Sequence, residues 1–514
     1  MRQSKSPSVN RYLLILVILS TAYFGYWIML AHYKYVNYQS SFFDIGGWVY
    51  VMYQHVHGIT MGPMQYLVFF AHLSPIMLAM VPIFAIYPHA ITLTVAQDVL
   101  LALTAALAYF VALDIFKSRK IGFAFGLAML INSGIRGLAY YDFHPEAFIP
   151  FFYILSFYFY YKCRKRYFIL SYVLLLSVME TAYVVGITLL VGLLMFELLY
   201  NARKDGIDNA NYRKRLGLIL IGIALTVVVA ILYRGAAVYI TQTYATTSTY
   251  AVPPVTRLIN YITIQVKTLA NPSVVSYKAG PIYGLGGIDL SEIFLGFGIT
   301  SLSNPIMSLV LYSPWLFEVF ILHNWTFLIF SAQYFGYVVG ASYVSAILGY
   351  LILDKYKGRI SHALRMNARS MEILVPASIV ILSFMFSLLF LSEVYTPLVF
   401  QSYPGVNYTQ INGALSMIPN NSSVMTQTTI APHLAYMRNL EFAPTLNVSG
   451  PIPTKVTVYW FVPEYIVIDK NLPTYYSEFS SNAFNVYSYM GDNYTALYNG
   501  SGLYIYRRIG SSGT

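Results

Sequence analysis

Cysteine is nearly absent from this chain. The one thiol, Cys163, stands inside the basic cluster "KCRKR", so no intramolecular disulfide can form and redox compartment is not readable from cysteine usage. Charge is scarce too. Only 10% of the 514 residues are Asp, Glu, Lys or Arg, which excludes an ordinary soluble enzyme when apolar runs recur along the whole length. A net charge of +11 does not imply nucleic acid, because the cations occur in short clusters between apolar runs and mark no single face. A nucleotide-phosphate loop is missing as well: the glycines of "GPIYGLGG" lack the Lys-Ser/Thr and the helix that should follow. Apolar residues are what the chain has in quantity. They make up 57% of it, with a mean hydropathy of +0.59, and point to an α-helical polytopic membrane protein.

A crossing helix needs about 20 mostly apolar residues. "YLLILVILSTAYFGYWIMLA", residues 12–31, supplies the first, and is too long and too bulky at its end for a cleavable signal peptide. Further spans are expected near 92–115, 121–139, 147–161, 167–180, 183–200, 216–233, 328–352 and 372–392, with a short hairpin over 292–322. That makes about 9–11 crossings. The positive-inside rule sets the orientation. With a cytoplasmic N-terminus, the inner segments hold 20 of the 31 Lys and Arg, among them Lys117, Lys162, Arg215 and Lys355. The count requires that 74–88, "SPIMLAMVPIFAIYP", does not cross; three prolines in 15 residues suit a helix lying in the outer interface instead.

The outer side then receives the loop 32–91, the turns near 140 and 180, the segment 234–325 and everything beyond 393. Asn-x-Ser/Thr sequons at Asn324, Asn407, Asn420, Asn421, Asn447, Asn493 and Asn499 all fall on that side. Residues 1–395 read as the membrane domain. Residues 400–514 read as a small extracytoplasmic α/β domain: "SSVMTQ" and "EYIVID" are strand-like, "APHLAYMRNL" is helix-like, and "TALYNGSGLYIYRR" is two strands around a turn. A plasma-membrane protein with its C-terminal domain outside is the expectation.

Polar residues gather in the outer turns. In "YYDFHPEAF", Pro145 keeps His144 out of a helix but suits the first turn of the next one. Glu146 falls in that turn, where the helix dipole favours a carboxylate. Asp142 and His144 alternate with aromatic residues and can face one pocket. Asp44 is the one acid of the first loop, in "QSSFFDIGGWVY"; His72 follows in "FAHLSPIM", and Glu180 lies in "VMETAY". Capping, snorkelling or simple hydration accounts for each of these singly. Arg136 is the nearest cation to the 140 turn, and a phospholipid headgroup contact accounts for it equally well.

The succession "FDIG", "HLSP", Gln97, "DFHPE", the "META" carboxylate, "APHLAYM" and "PEYIVID" resembles the polytopic family called domain of unknown function 2079, over nearly the whole chain. That family is in turn similar to the C-type glycosyltransferases, membrane enzymes that use lipid-phosphate-linked sugars at the outer face. The resemblance implies a first-loop acid at Asp44 and a second at Asp142, as catalytic residues. Where the family shows Lys-Glu-Asp, this chain has Met179, Glu180 and Thr181. Sugar transfer from a polyprenyl phosphate needs a base, for which Asp44 is suited, and positive charge on the departing phosphate. His72, Gln97, Arg136 and Glu180 are the expected substrate-binding residues. Asp142, His144 and Glu146 are a candidate set for a divalent ion, Mg or Mn. A polyprenyl-phosphate sugar donor is the expected partner, and no nucleic acid. Two other classes stay open: a transporter or flippase, which would place polar groups near the bilayer midplane, and a non-catalytic envelope protein with a partner-binding glycosylated domain.

Overall fold

The computed structural model describes residues 10–58, 73–201, 210–244, 289–321, 325–328, 333–363, 368–389, 403–437, 439–442, 463–472 and 493–510. His72, Asn324 and Asn447 lie outside them. The chain opens with helix α1 (Arg11–Val36), a turn at Phe42–Gly46, α2 (Gly47–Val56) and the ten-residue α3 (Met77–Ile86), too short to cross. There follow α4 (Ala90–Phe116), α5 (Arg119–Ile131), α6 (Ser133–Tyr140), α7 (Ile149–Tyr161), α8 (Lys165–Ser177), α9 (Ala182–Phe196) and α10 (Ala210–Tyr244). The second half contributes α11 (Pro305–Leu316), α12 (Gly336–Ala363), α13 (Ala368–Leu389) and α14 (Tyr408–Leu415), then strands β1 (Ser423–Thr426), β2 (Asn439–Phe442), β3 (Tyr465–Asp469), β4 (Tyr494–Gly500) and β5 (Leu503–Arg508).

Among the described residues, five helical stretches are long and apolar enough to cross a membrane: Arg11–Val36, Ala90–Phe116, Ala182–Asn201, Ala210–Ala236 and Gln333–Tyr356. The bent pair α5–α6 makes a sixth if taken as one span. This is fewer than the 9–11 read from apolar runs. The reason is length: α7 and α8 have 13 residues each, about 20 Å of helix against a hydrocarbon core of about 30 Å. The apolar stretches Pro305–Phe320 and Ile373–Leu389 are likewise shorter.

Local sequence explains the breaks. Asn132 leaves the helical region, and its side chain accepts from the N–H groups of Gly134 and Ile135, ending α5 and capping α6 in one step. The result is a 43° bend. Lys117 and Cys163 take positive φ, 54° each, so that α4–α5 and α7–α8 are joined by tight turns.

The chain forms two compact units: Met1–Trp27 with Leu73–Met77 and Ala96–Tyr395, and Ile28–His72 with Leu78–Val95 and Thr396–Thr514. In the first, the basic turns meet at one end of the helices. Asp114 pairs with Lys117 at 2.6 Å and with Lys162 at 2.8 Å. Arg215 reaches Glu197 at 3.3 Å and donates to the Tyr161 carbonyl, while Lys355 donates to that of Tyr200. The 140 and 180 turns occupy the other end.

The second unit holds a five-stranded sheet of order β2-β1-β3-β5-β4. β1 runs parallel to β2 and β3, and β5 antiparallel to β3 and β4. The central β1 and β3 are buried throughout, while β4 is an exposed edge. Ser501 and Gly502, with φ of 51° and 93°, close the β4–β5 hairpin, as two-residue turns of this hand require. "APHLAYMRNL" forms a single 3₁₀ turn at Ala431–Leu434, and its last two residues already belong to β2. The five described sequon asparagines, Asn407, Asn420, Asn421, Asn493 and Asn499, are all exposed.

Candidate functional site

In the first unit the polar side chains collect around the 140 turn. His144 is extended, with φ −148° and ψ 136°, and Pro145 opens the short helical turn that leads into α7. Gln97 of α4 fixes this turn from the side: its Nε2 donates to the Leu138 carbonyl and its Oε1 accepts from the His144 N–H, both at 2.9 Å. His144 Nδ1 and the Glu146 carboxylate are hydrogen-bonded, and both side chains are buried. Gly336, at the start of α12, lies against the backbone here; a Cβ on it would stand 2.6 Å from the Glu146 carbonyl oxygen. Asp142 is half-buried.

Arg136 is buried on α6, and its Nη1 donates to the Ser387 carbonyl at 2.7 Å and to the Ser387 hydroxyl at 3.3 Å. Ser387 lies in the last turn of α13, so this cation meets the negative end of a helix. Glu292 performs the converse task, accepting from the Ser133 N–H at the start of α6. Glu180 is buried in the turn between α8 and α9. On either side of it, the Tyr337 hydroxyl donates to Met179 Sδ at 3.1 Å and lies 2.7 Å from Thr181 Oγ1. One hydroxyl thus ties the two positions where the sequence departs from the Lys-Glu-Asp pattern.

Asp98 was not anticipated from the sequence. It follows Gln97 within a crossing-length helix and is fully buried, and neither carboxyl oxygen has a hydrogen-bond partner among the described residues. An acid in the apolar run 92–115 was the signal that could have revealed it.

The second unit brings two distant motifs together. Asp44, half-buried, sits at a kink in the Phe42–Gly46 turn with φ −109° and ψ −108°. The Phe42 N–H donates to the Thr428 carbonyl at 2.9 Å, and Gly46 lies so near Pro432 that a Cβ would be 3.0 Å from its ring. Gln54 Nε2 donates to the Met437 carbonyl, and the Leu440 N–H to the Tyr50 hydroxyl. "FDIG" with α2 is therefore the seat of "APHLAYM". His433 of that segment stacks on Tyr38 and Tyr35, and burial pushes its imidazole down to about 4.

The expected metal set is not gathered. Among the described residues no group of three or more His, Cys, Asp and Glu side chains is placed to hold an ion, and His144 turns its Nδ1 to Glu146.

Helices of crossing length, with buried ionisable groups at their turns and a small mixed sheet in a second unit, define a polytopic membrane protein. The family model described as a predicted membrane protein, DUF2079, matches residues 34–504, and the chain belongs to that family. A search of curated proteins found no match.

Proposed function

We propose that this protein transfers a sugar from a polyprenyl-phosphate-linked donor to an acceptor at the outer membrane face. The observation that carries the reading is the concentration of Arg136, His144, Glu146 and Glu180, all buried, at one end of an otherwise apolar helical unit, opposite the end where the basic turns meet. Ionisable groups are costly in such surroundings and mark functional sites in membrane proteins. In the reaction the acceptor hydroxyl oxygen attacks the anomeric carbon and the carbon–oxygen bond to phosphate breaks with its electron pair on the phosphate. The hydroxyl proton passes to a carboxylate. Asp142, in the same unit as these groups, is assigned that proton. Arg136 supplies positive charge for the leaving phosphate. Among the described residues no three ligating side chains are gathered to fit a divalent ion.

The test is release of radiolabelled hexose from a polyprenyl-phosphate donor by the purified protein in liposomes. Asp142→Asn should lower release by about a hundredfold or more, with unchanged melting temperature. Full activity in that variant would defeat the assignment. A lipid or solute carrier is the second reading, favoured by Asp98 inside a span; labelled donor crossing the bilayer intact would select it.

A further inference from the structure

The carboxylate of Asp98 is left out of this scheme, and its surroundings say what it is for. Asn10 Nδ2 donates to the Tyr109 hydroxyl at 2.5 Å, and a Cβ built on Gly126 would meet Leu16, Tyr109 and the Ala105 carbonyl at 2.7, 2.9 and 3.3 Å. Both observations set α1 and α4 side by side in opposite directions, with Leu16 level with Ala105. Seven residues further along α1 comes Tyr23, and seven back along α4 comes Asp98, a shift of about 10 Å on each helix. The two side chains are thus on one level, and Gln97, next to Asp98, donates to the Leu138 carbonyl on α6, two residues from Arg136. Trp27, one turn beyond Tyr23, is buried with its ring 5.7 Å from that of Tyr23 and 6.3 Å from that of Tyr140, edge-on in both cases. Arg136 and Tyr140 are themselves one turn apart on α6.

These groups match one kind of ligand. A carboxyl group buried with both oxygens unpartnered is expensive, and as a carboxylate it accepts on about four lone-pair sites once donors are supplied. Neighbouring hydroxyls of a sugar provide two donors at the right spacing. Trp27 and Tyr23 are aromatic rings of the kind that lies against the carbon face of a pyranose, and Arg136 carries the charge that pairs with a phosphate. Resting on the transferase reading, we infer that Asp98, with Tyr23, Trp27 and Arg136, forms the site that holds the glycosyl head of a lipid phosphate, Asp98 accepting from its hydroxyls. A simple ammonium head would satisfy Asp98 but is repelled by Arg136.

Tryptophan fluorescence titration of the full-length protein in detergent tests this with three probes: citronellyl phosphate, the same lipid carrying mannose, glucose or N-acetylglucosamine, and dioctanoyl phosphoethanolamine. At least one glycosyl probe should bind more tightly than bare citronellyl phosphate. Asp98→Asn should weaken that probe about ten- to hundredfold, the range for hydrogen bonds to a charged group, and leave the bare phosphate unchanged. Asp98→Glu, which keeps the charge but moves it, should lose affinity in the same selective way, and covers the case where Asp98→Asn does not fold. Equal loss for the glycosyl and bare probes, no loss, selective loss of the ethanolamine probe, or no preference for any glycosyl probe each overturns the site. Asp98-dependent binding without sugar release defeats the transferase reading and leaves the site standing; sugar release with undiminished binding in Asp98→Asn does the reverse.

Discussion

Replacing His433 by phenylalanine should remove most of the acid sensitivity of the second unit. The ring centroid of His433 lies 3.8 Å from that of Tyr38 and 4.5 Å from that of Tyr35, and Nε2 donates to the Tyr35 carbonyl at 2.9 Å. Burial is the largest influence on the imidazole and brings it down to about 4, while the hydrogen bond to Tyr35 acts the other way. An unfolded histidine titrates near 6.5. Between pH 6.5 and 4 the unfolded chain therefore takes up a proton that the folded protein does not. The stability supplied by the neutral ring is complete above pH 6.5 and is lost as the pH falls toward 4, amounting to about 3 kcal/mol at most. Asp469, raised by burial, has the opposite sign: its folded form keeps a proton to higher pH than the unfolded chain, so it softens the loss at the acid end. Hydrogen exchange at the amides of β1 and β3, corrected for intrinsic rates, reads the opening free energy directly. From pH 7 to 4.5 it should fall by up to about 3 kcal/mol in the wild type and by much less in His433→Phe. A flat wild-type profile, or the same slope in both proteins, would refute the reasoning.

Gln97→Ala strands the Leu138 carbonyl and the His144 N–H and should cost about 2–4 kcal/mol, read as a lower melting temperature with faster exchange confined to the 140 turn. Gly349→Ala puts a Cβ 2.0 Å from the Thr300 carbonyl oxygen; since that neighbour is backbone, the loss should reach about 3 kcal/mol or more, and a normal melting temperature would show that α12 can move. Asn132→Ala removes the cap of α6 and should cost about 1 kcal/mol, again by melting temperature. Asp98→Asn should not destabilise the protein, because it replaces a buried carboxyl group that has no partner among the described residues with a neutral group of the same shape; a large drop in melting temperature would mean that the carboxyl group holds the fold together.

Much of the local structure was legible. Pro145 fixed where α7 begins because proline disfavours a helical residue before it, and "NGSG" announced the β4–β5 hairpin because only certain residues accept positive φ. The positive-inside count put the turns at Lys117, Lys162 and Arg215 on one side, and ion pairs through Asp114 and Glu197 join turns at that end. Apolar runs did not reveal how short α7 and α8 are, since hydropathy records what a segment avoids and not where its helix stops. Within the site, "DFHPE" and Gln97 were found by their residue types, whereas their joining through two hydrogen bonds was not.

What the sequence by itself determined is class and local geometry: an apolar, cysteine-poor chain of membrane helices, with turns where proline, glycine and capping asparagine dictate them. These are decided within a few residues, by backbone sterics and by the cost of placing polar groups in hydrocarbon. Only the tertiary structure decided that "FDIG" seats "APHLAYM" some 390 residues away, that Arg136 caps α13, and that Asp98 meets no donor among the described residues. Whether a buried charge finds a partner depends on which helices pack against it and at what level. That relation is set by the close packing of side chains remote in the chain, and no local pattern encodes it.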